Sequence, residues 1–335
     1  MRKVAFVLLL VVFVFIGAVL TFSVWKKTTT PKVLKIGFQQ STGLPGHSIV
    51  LFVAKDREFF KKYHLDVELQ SIPSGVSKLL VSKNVDILLT SLSTLITPAA
   101  SGADVVWVGT IKTKSPSFVL FSNKKAEQIK SVATSTQGSS VYHAALAMLD
   151  FLKIKDQVTL HTISGGVNVR FASVVSGKVD AATTGESEWI VFSKQNPEKA
   201  KEFKVLVSTG KDKTSFPQDP LTVATHHNFL REHKEEVETF SKALLETVFW
   251  IKNHHEETID TLTRYDATKE EAKIYLDFFL EGADEITFAP DRLLAEENLA
   301  ILDFEPKNFK MDDFIYTDIA NDLKTKGFLK QVGVN

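Results

Sequence analysis

Hydrophobic and polar positions along the chain alternate between the spacing of β-strands and that of helices. Residues 33–38 (VLKIGF) follow a strand pattern, and the polar loop QQSTG comes next. Residues 48–63 then carry apolar side chains at helical spacing, including Ile49, Leu51 and Phe52, and residues 67–72 (VELQSI) return to the strand pattern. This stretch therefore predicts a strand, a polar loop, one amphipathic helix and a second strand.

The same succession occurs again further along the chain. VELQSIPSGV at 67–76 is in register with VTLHTISGGV at 158–167, and VSKNVDI at 81–87 matches VSGKVDA at 175–181. A looser match sets KIGFQQSTG against SVATSTQGS at 131–139, again before an amphipathic helix. Each half thus reads as a βαβαβ unit, which predicts a mostly parallel sheet flanked by helices.

The rest of the chain predicts connections and closing helices. Segments 105–118 and 206–220 join the units, with bending expected within 110–117 and 208–217. We predict a two-lobed α/β protein in which residues 33–112 and 216–335 form lobe 1 and residues 113–215 form lobe 2. Helical patterns cover 228–263, 268–281 (opened by a capping box at Thr268), 291–301 and 311–327.

The N-terminal segment has the pattern of a membrane-spanning helix. Residues 4–25 carry no charge and lie between Arg2-Lys3 and Lys26-Lys27, which is long enough to cross a bilayer. Residues 1–27 are therefore either an uncleaved anchor or a signal peptide cut after Ser23, and residues 28–32 form a short tether. The length of the apolar segment favours the anchor.

Composition excludes several classes of function. Lys plus Arg and Asp plus Glu both number 40, so no net positive charge attracts nucleic acid. The chain has no Cys, which excludes disulfides, thiolate catalysis and a lipid-modified N-terminal cysteine. The sequence also contains no GxSxG, P-loop, GxGxxG or HExxH motif. We therefore expect no enzyme activity and no cofactor.

Polar loops follow the predicted strands in both units. Ligands of such sheets bind at the carboxyl ends of the strands, and the loop STQGSS precedes a helix whose N-terminus favours an anion. Simple N-capping by Ser139 or Ser140 is the alternative role for that loop. The predicted ligand-binding residues are Gln40, Ser41, Thr42, Gly43, Ser74, Thr90, Ser91, Ser135, Thr136, Gln137, Ser139, Ser140, Thr184 and Glu186.

Two kinds of ligand fit these loops. Neutral donors suit an oxyanion such as a sulfonate, a carboxylate or nitrate, whereas the Glu186 carboxylate would repel an anion and attract a basic heterocycle. We expect Glu188 at a solvated helix start, Trp189 in the core or at its rim, and Arg170 in a surface salt bridge. The alternatives are that Trp189 stacks on a ligand ring and that Arg170 completes an anion site.

For the other titratable residues the sequence predicts structural roles. Asp86 and Asp180 occupy equivalent positions at the start of the third strand of each unit, where we expect them to stabilise turns. The pairs His226-His227 and His254-His255 are adjacent in sequence, so two neighbours cannot both face one metal ion.

The order of these motifs resembles the type II periplasmic binding proteins, the solute receptors of ABC importers. The matching residues are LKIGF, EFFKKYHLDVELQ, the PSG turn, NVDI and GG followed by RFASVVSGKVDA, and the closing helices from NFLREHKEEVETF onward are also similar. Within that fold the chain resembles the nitrate, sulfonate, taurine and thiamine-pyrimidine-precursor branch.

The resemblance implies an extracytoplasmic, monomeric receptor tethered by its N-terminal helix, or released to the periplasm if that helix is cleaved. Its partners would be a small anion, held by hinge closure, and the permease of an importer. A receptor for a thiamine-precursor pyrimidine that uses Glu186 is the alternative, and an enzyme of the same fold is the second alternative.

Overall fold

Two five-stranded sheets form the framework of the protein. The computed structural model describes residues 33–40, 48–112, 117–211, 216–281, 283 and 286–334, and the residues from Leu34 onward form one unit. The strands are β1 (Leu34–Gln39), β2 (Val67–Ile72), β3 (Ile87–Ser91), β4 (Val106–Lys112), β5 (Phe118–Ser122), β6 (Ser131–Thr134), β7 (Thr159–Thr162), β8 (Ala181–Gly185), β9 (Lys204–Ser208) and β10 (Leu221–Thr225).

Helices cover both faces of the sheets and close the C-terminal part of the chain. In chain order they are α1 (Ile49–Asp56), α2 (Phe59–Lys62), α3 (Ser77–Val81), α4 (Leu92–Ala100), α5 (Ser140–Phe151), α6 (Gly166–Val175), α7 (Glu186–Gln195), α8 (Pro197–Ala200), α9 (His227–Glu232), α10 (Lys234–Asn253), α11 (His255–Thr263), α12 (Lys269–Leu280), α13 (Arg292–Ala300), α14 (Met311–Phe314), α15 (Asp318–Thr325) and α16 (Phe328–Gln331).

The sheets have the same topology. The first has the order β2-β1-β3-β10-β4 and the second has the order β7-β6-β8-β5-β9. In each sheet the first three strands are parallel, and the fourth is antiparallel to both of its neighbours. The repeated βαβαβ pattern and the two-lobed α/β fold class are therefore confirmed. We call the part built on the first sheet lobe 1 and the part built on the second sheet lobe 2.

Consecutive strand residues pack on opposite faces of each sheet. In lobe 1, Leu88 and Leu89 are both buried but belong to different hydrophobic clusters. In lobe 2, Leu120 and Phe121 are likewise both buried in different hydrophobic clusters. Because both faces are covered by helices, β3 and β5 are buried along their whole length.

The amphipathic helix predicted over 48–63 is two helices. The chain leaves α1 at Arg57, and Glu58 adopts a left-handed conformation (φ 59°) before α2 begins. This break turns Phe59 and Phe60 into the core, where the Phe60 ring stacks on Phe240. Ile49, Leu51 and Phe52 are buried as predicted.

The C-terminal helical stretches are also more divided than the sequence predicted. Residues 228–263 form three helices, because the chain interrupts the helical geometry at His233 and at His254. The predicted helix over 311–327 is divided by Ile315, which bridges to Trp107 beside the first sheet. The capping box at Thr268 is present and opens α12 as predicted.

The second crossing segment is attached to both lobes within a few residues. The Phe216 ring packs against Phe151 (centroids 5.4 Å apart) in a hydrophobic cluster of lobe 2. Asp219 accepts a hydrogen bond from the Ser93 amide of lobe 1 (2.7 Å). Residues 113–116 and 212–215 lie outside the described ranges, so the boundaries of the lobes stay a prediction.

Asp86 and Asp180 join neighbouring strands in equivalent ways. An Asp86 oxygen accepts a hydrogen bond from the Lys35 amide of β1 (2.9 Å), and an Asp180 oxygen accepts one from the Ser131 amide of β6 (3.0 Å). Both contacts lie at the amino ends of the strands. The structural role expected for these carboxylates is therefore observed, as a link between strands.

The predicted anchor at 1–27 and the tether at 28–32 lie outside the described residues. Among the described helices, none combines the length and the apolar character needed to span a bilayer.

Candidate functional site

The candidate site lies where helices begin directly after the carboxyl ends of strands. Helix α4 follows β3, and α7 follows β8 in the equivalent place of lobe 2. Five residues separate the end of β6 from the start of helix α5, and they form the loop STQGS that leads into Ser140. The first backbone amides of a helix have no partner within the helix itself, so helix starts provide hydrogen-bond donors and a positive dipole end.

The loop before α5 is largely buried and only partly hydrogen-bonded. Ser139 is the N-cap, and its Oγ accepts a hydrogen bond from the Tyr142 amide (3.2 Å), so the capping role considered for this residue is present. Ser135 is buried, and Ser140 begins the helix. The Thr136 Oγ1 atom is buried without a hydrogen-bond partner among the described atoms. The described residues therefore leave this hydrogen-bond donor unused.

The α5 loop of lobe 2 lies directly against lobe 1. The Thr97 hydroxyl of α4 and the His143 Nε2 atom are 2.9 Å apart, and the Tyr142 hydroxyl donates to Asp303 (2.6 Å). Gln137 also reaches Asp303 (3.5 Å). A Cβ atom on Gly138 would lie 2.8 Å from the Thr97 methyl group, so the close approach requires glycine.

The lobes also meet at two other places. Ser74 and Ser164, in the equivalent turns after β2 and β7, are joined by a weak hydrogen bond (3.4 Å) between their hydroxyls. Helix α12 packs against α7, where Gln195 donates to Glu271 (2.7 Å). Polar loops of the two lobes therefore face one another across their meeting surface.

The predicted site residues of lobe 1 are only partly described. Ser41, Thr42 and Gly43 lie outside the described residues, while Gln40 is half-buried at the end of β1. Thr90 is buried, and its carbonyl accepts from Thr222 (2.7 Å). The Ser91 hydroxyl is buried and bonded to Thr94 (3.0 Å).

Sequence reasoning missed Asp219, which occupies the N-terminus of α4. Its two carboxylate oxygens accept from the amide and the hydroxyl of Ser93, each at 2.7 Å, and Ser91 also stabilises its charged form. Full burial raises the pKa of Asp219 to about 6 despite these donors. In the sequence, Asp219 is marked only as an acidic residue between two prolines in FPQDP. That local pattern does not indicate which helix Asp219 caps.

The raised pKa of Asp219 predicts a pH-dependent contribution to stability. Because its folded pKa (about 6) lies above the ordinary value of 3.8, the folded chain binds the proton more tightly. Below pH 4 the protonated Asp219 adds about 3 kcal/mol to the free energy of unfolding, and this contribution is lost as the pH rises to 6.

Urea unfolding of the wild type and of Asp219→Asn across this range measures the effect, since the amide does not titrate. The free energy of unfolding of the wild type should fall relative to that of the variant as the pH rises from about 4 to about 6. Curves that stay parallel would contradict the assignment.

Arg170 forms the predicted salt bridge, with Glu188, but not at the surface: it is buried in lobe 2 with 2% of its surface exposed. Its guanidinium donates to the Thr183 carbonyl (2.8 Å) and lies 3.6 Å from Glu188. Burial lowers the pKa of Arg170, and the charge of Glu188 opposes that shift. Helix α6 brings Arg170 inward because its neighbours Phe171 and Val174 pack into the core.

Glu188 is held by the same cluster. The Thr184 hydroxyl donates to the Glu188 carboxylate. The pKa of Tyr275 in α12 is raised, mainly by burial and also by the negative charge of Glu188. The side chain is 23% exposed. Glu188 therefore lies in the first turn of α7, as expected, but it is partly buried as a partner of Arg170, so the expected solvation is wrong.

Glu186 faces the crossing segments. Its carboxylate accepts from the Ser208 hydroxyl (3.0 Å) at the end of β9, and its amide donates to the Ser117 carbonyl (2.7 Å). The residue is only half-buried. The carboxylate thus lies next to the connection between the lobes.

The remaining aromatic and histidine residues have structural contacts. Trp189 stacks on Phe121 in the core (4.5 Å between centroids), as predicted. His226 caps α9, His227 bonds to Asp104 and His254 stacks on Trp250. Across the described ranges, no group of three or more His, Asp or Glu side chains is arranged to hold a metal ion.

Two lobes of this topology, with polar loops facing each other, define the periplasmic-binding-protein fold that the sequence predicted. A family model described as NMT1/THI5 like matches residues 46–258, and the chain belongs to this family. A comparison with curated proteins found no match.

Solved structures share the fold. The periplasmic aliphatic sulphonate binding protein SsuA from Escherichia coli is 19% identical, with a TM-score of 0.67, over 87% of this chain and 100% of that chain. A Candida albicans protein described as having the generic periplasmic binding protein fold is 18% identical, with a TM-score of 0.65, over 91% and 96% of the two chains. The zinc-bound ligand-binding component of an ABC-type import system from Staphylococcus aureus is 15% identical, with a TM-score of 0.65, over 87% and 98%.

Proposed function

We propose that the protein is an extracytoplasmic solute-binding receptor of an ABC importer. It captures a small anion of the sulfonate, nitrate or taurine class between its lobes and presents the closed form to the permease. Residues 4–25 would hold it at the membrane, or be removed on secretion. The fold and family support the receptor class, since the similar structures named above include a sulphonate-binding protein and an importer component.

One observation carries the choice of an anion. The loop before α5 holds a buried hydroxyl, Thr136 Oγ1, that has no partner among the described residues, and the loop leads into a twelve-residue helix whose first turn contains no acid. A buried polar group without a partner costs free energy, which a ligand accepting its hydrogen bond would recover. The positive end of the helix favours an anionic acceptor over a cationic one.

The proposal predicts that Thr136→Val weakens anion binding without destabilising the protein. Valine has the shape of threonine and removes a hydroxyl that has no partner, so the free energy of unfolding should stay level or increase. Affinity for the best of taurine, methanesulfonate and nitrate should fall about 10-fold or more, as expected for a hydrogen bond to a charged group.

Thr134→Val is the matched control. Its hydroxyl donates to the Val141 carbonyl (3.2 Å), so that substitution should reduce stability and leave affinity nearly unchanged. Isothermal titration and urea unfolding measure both quantities. Equal affinities for the wild type and Thr136→Val would contradict the assignment.

Small-angle scattering should also show that the bound anion makes the chain more compact, and no compaction with any tight ligand would contradict hinge closure.

A basic aminopyrimidine is the second candidate ligand, supported by the half-buried Glu186 carboxylate beside the crossing segments. In that case Glu186→Gln would reduce affinity for the pyrimidine, whereas for an anion it would be harmless or favourable. The remaining alternative is an enzyme of the same fold, which steady turnover of a bound ligand would reveal.

A further inference from the structure

The N-terminus of α4 in lobe 1 already holds a carboxylate of the chain itself. Asp219 is buried there and accepts from the Ser93 amide and hydroxyl at 2.7 Å each. Both donors belong to the first turn of a nine-residue helix that begins directly after β3. A group of donors of this kind is suited to an anion, and Asp219 fills it from the second crossing segment.

Helix starts at the carboxyl ends of the strands fall into two electrostatic classes. In lobe 2 the equivalent helix α7 carries Glu186 and Glu188 in its first turn. The first turns of α1 and α5, both within the described ranges, contain no acidic residue. The helices that follow the third strand of each lobe therefore hold carboxylates at their first turns. The first turns of α1 and α5 carry none of their own, and Asp303 of lobe 1 contacts side chains of Gln137 and Tyr142 at α5, not the backbone amides of that helix.

We infer that Asp219 is a specificity-determining residue that closes the N-terminus of α4 to ligand anions, so that lobe 2 supplies the anion contacts through α5. This inference rests on the proposed function. Asp219 would exclude a ligand anion for two reasons: it occupies the hydrogen-bond donors of the helix start, and its charge repels the anion. Two anions cannot share the Ser93 donors, and the Asp219 carboxylate repels a second negative group within a few ångströms.

The inference has a consequence for the order of binding. An anion that finds its helix dipole and hydroxyl donors only in lobe 2 can bind to that lobe before the lobes close. Lobe 1 then contributes contacts to the uncharged or cationic part of the ligand. Removing the Asp219 carboxylate should instead create an anion site in lobe 1.

Chemical rescue of the full-length Asp219→Ala variant tests this directly. Formate should enter the vacated space and raise the unfolding temperature of the variant by roughly 2–4 °C over the same concentration of chloride, with no such difference for the wild type. Asp291→Ala is the matched control. Asp291 also accepts from the second residue of a nine-residue helix (Leu293 amide, 2.8 Å) but is exposed, so formate should not rescue it.

Equal responses of Asp219→Ala to formate and chloride would overturn the inference, and so would an equal formate response of the wild type. If Asp219→Ala does not fold in chloride, its refolding yield in formate and in chloride measures the same property, and equal yields would overturn the inference.

Methanesulfonate titrations separate this result from the proposed function. We expect one anion per wild-type chain and two per Asp219→Ala chain. A wild type that binds none contradicts the anion proposal, while the formate result still tests Asp219.

Discussion

Replacing Glu188 by Ala should lower the free energy of unfolding by about 3 kcal/mol, because the substitution leaves the buried Arg170 guanidinium without its counter-charge. Arg170 is 2% exposed, and its charge lies 3.6 Å from Glu188. Its hydrogen bond to the Thr183 carbonyl remains but does not compensate a buried charge. Glu188 is partly exposed, so water reduces the penalty below that of a fully enclosed pair.

Glu198→Ala is the control for the loss of an acidic residue. Glu198 pairs with Lys201 (2.7 Å) on the surface, and its removal should change stability by less than about 0.5 kcal/mol. Adding Arg170→Met to Glu188→Ala should restore part of the loss, since the double variant contains no unpaired charge. Urea unfolding measures all three variants. If Glu188→Ala lost no more than the Glu198 control, the proposed coupling would be wrong.

Replacing Phe121 by Ala should lower the free energy of unfolding by about 3–5 kcal/mol. The ring is fully buried in lobe 2, 4.5 Å from Trp189, and also packs against Phe171 and Phe203. Removing it leaves a cavity that these rigid aromatic neighbours cannot fill, and it also removes the offset stacking with Trp189.

Phe249→Ala is the matched control, because that ring is 42% exposed. Its removal should cost less than about 1 kcal/mol. Denaturant unfolding followed by Trp fluorescence measures both variants, and the Trp189 signal should also report the lost stacking in Phe121→Ala. Similar losses for the two variants would show that the aromatic cluster does not set the stability of lobe 2.

The repeated pattern was sufficient to predict the sheets. Strand periodicity depends on local side-chain order, and the match between VSKNVDI and VSGKVDA identified the equivalent third strands β3 and β8. The breaks within the predicted helices could not be read in the same way. Glu58 leaves the helical conformation so that Phe59 and Phe60 can pack on residues distant in sequence, such as Phe240. Such packing is invisible to a local pattern.

The sequence predicted where the polar loops lie in the fold, but not which residues pair there. That polar loops lie at the carboxyl ends of strands follows from the topology of parallel sheets. Arg170 was expected at the surface because charged residues usually lie there, yet its position on the inner face of α6 and its distance to Glu188 depend on how that helix packs. The contact between Tyr142 and Asp303 joins residues 161 positions apart, which no spacing rule connects.

The sequence by itself determined the strand and helix order, the twofold repetition, the α/β class and the polar character of the loops, because these depend on periodicity and on residue type. Only the tertiary structure decided which groups occupy the helix starts. Asp219 reaches the N-terminus of α4 from a segment 126 residues beyond Ser93 in the chain, so its effect on the site depends on the chain path in three dimensions.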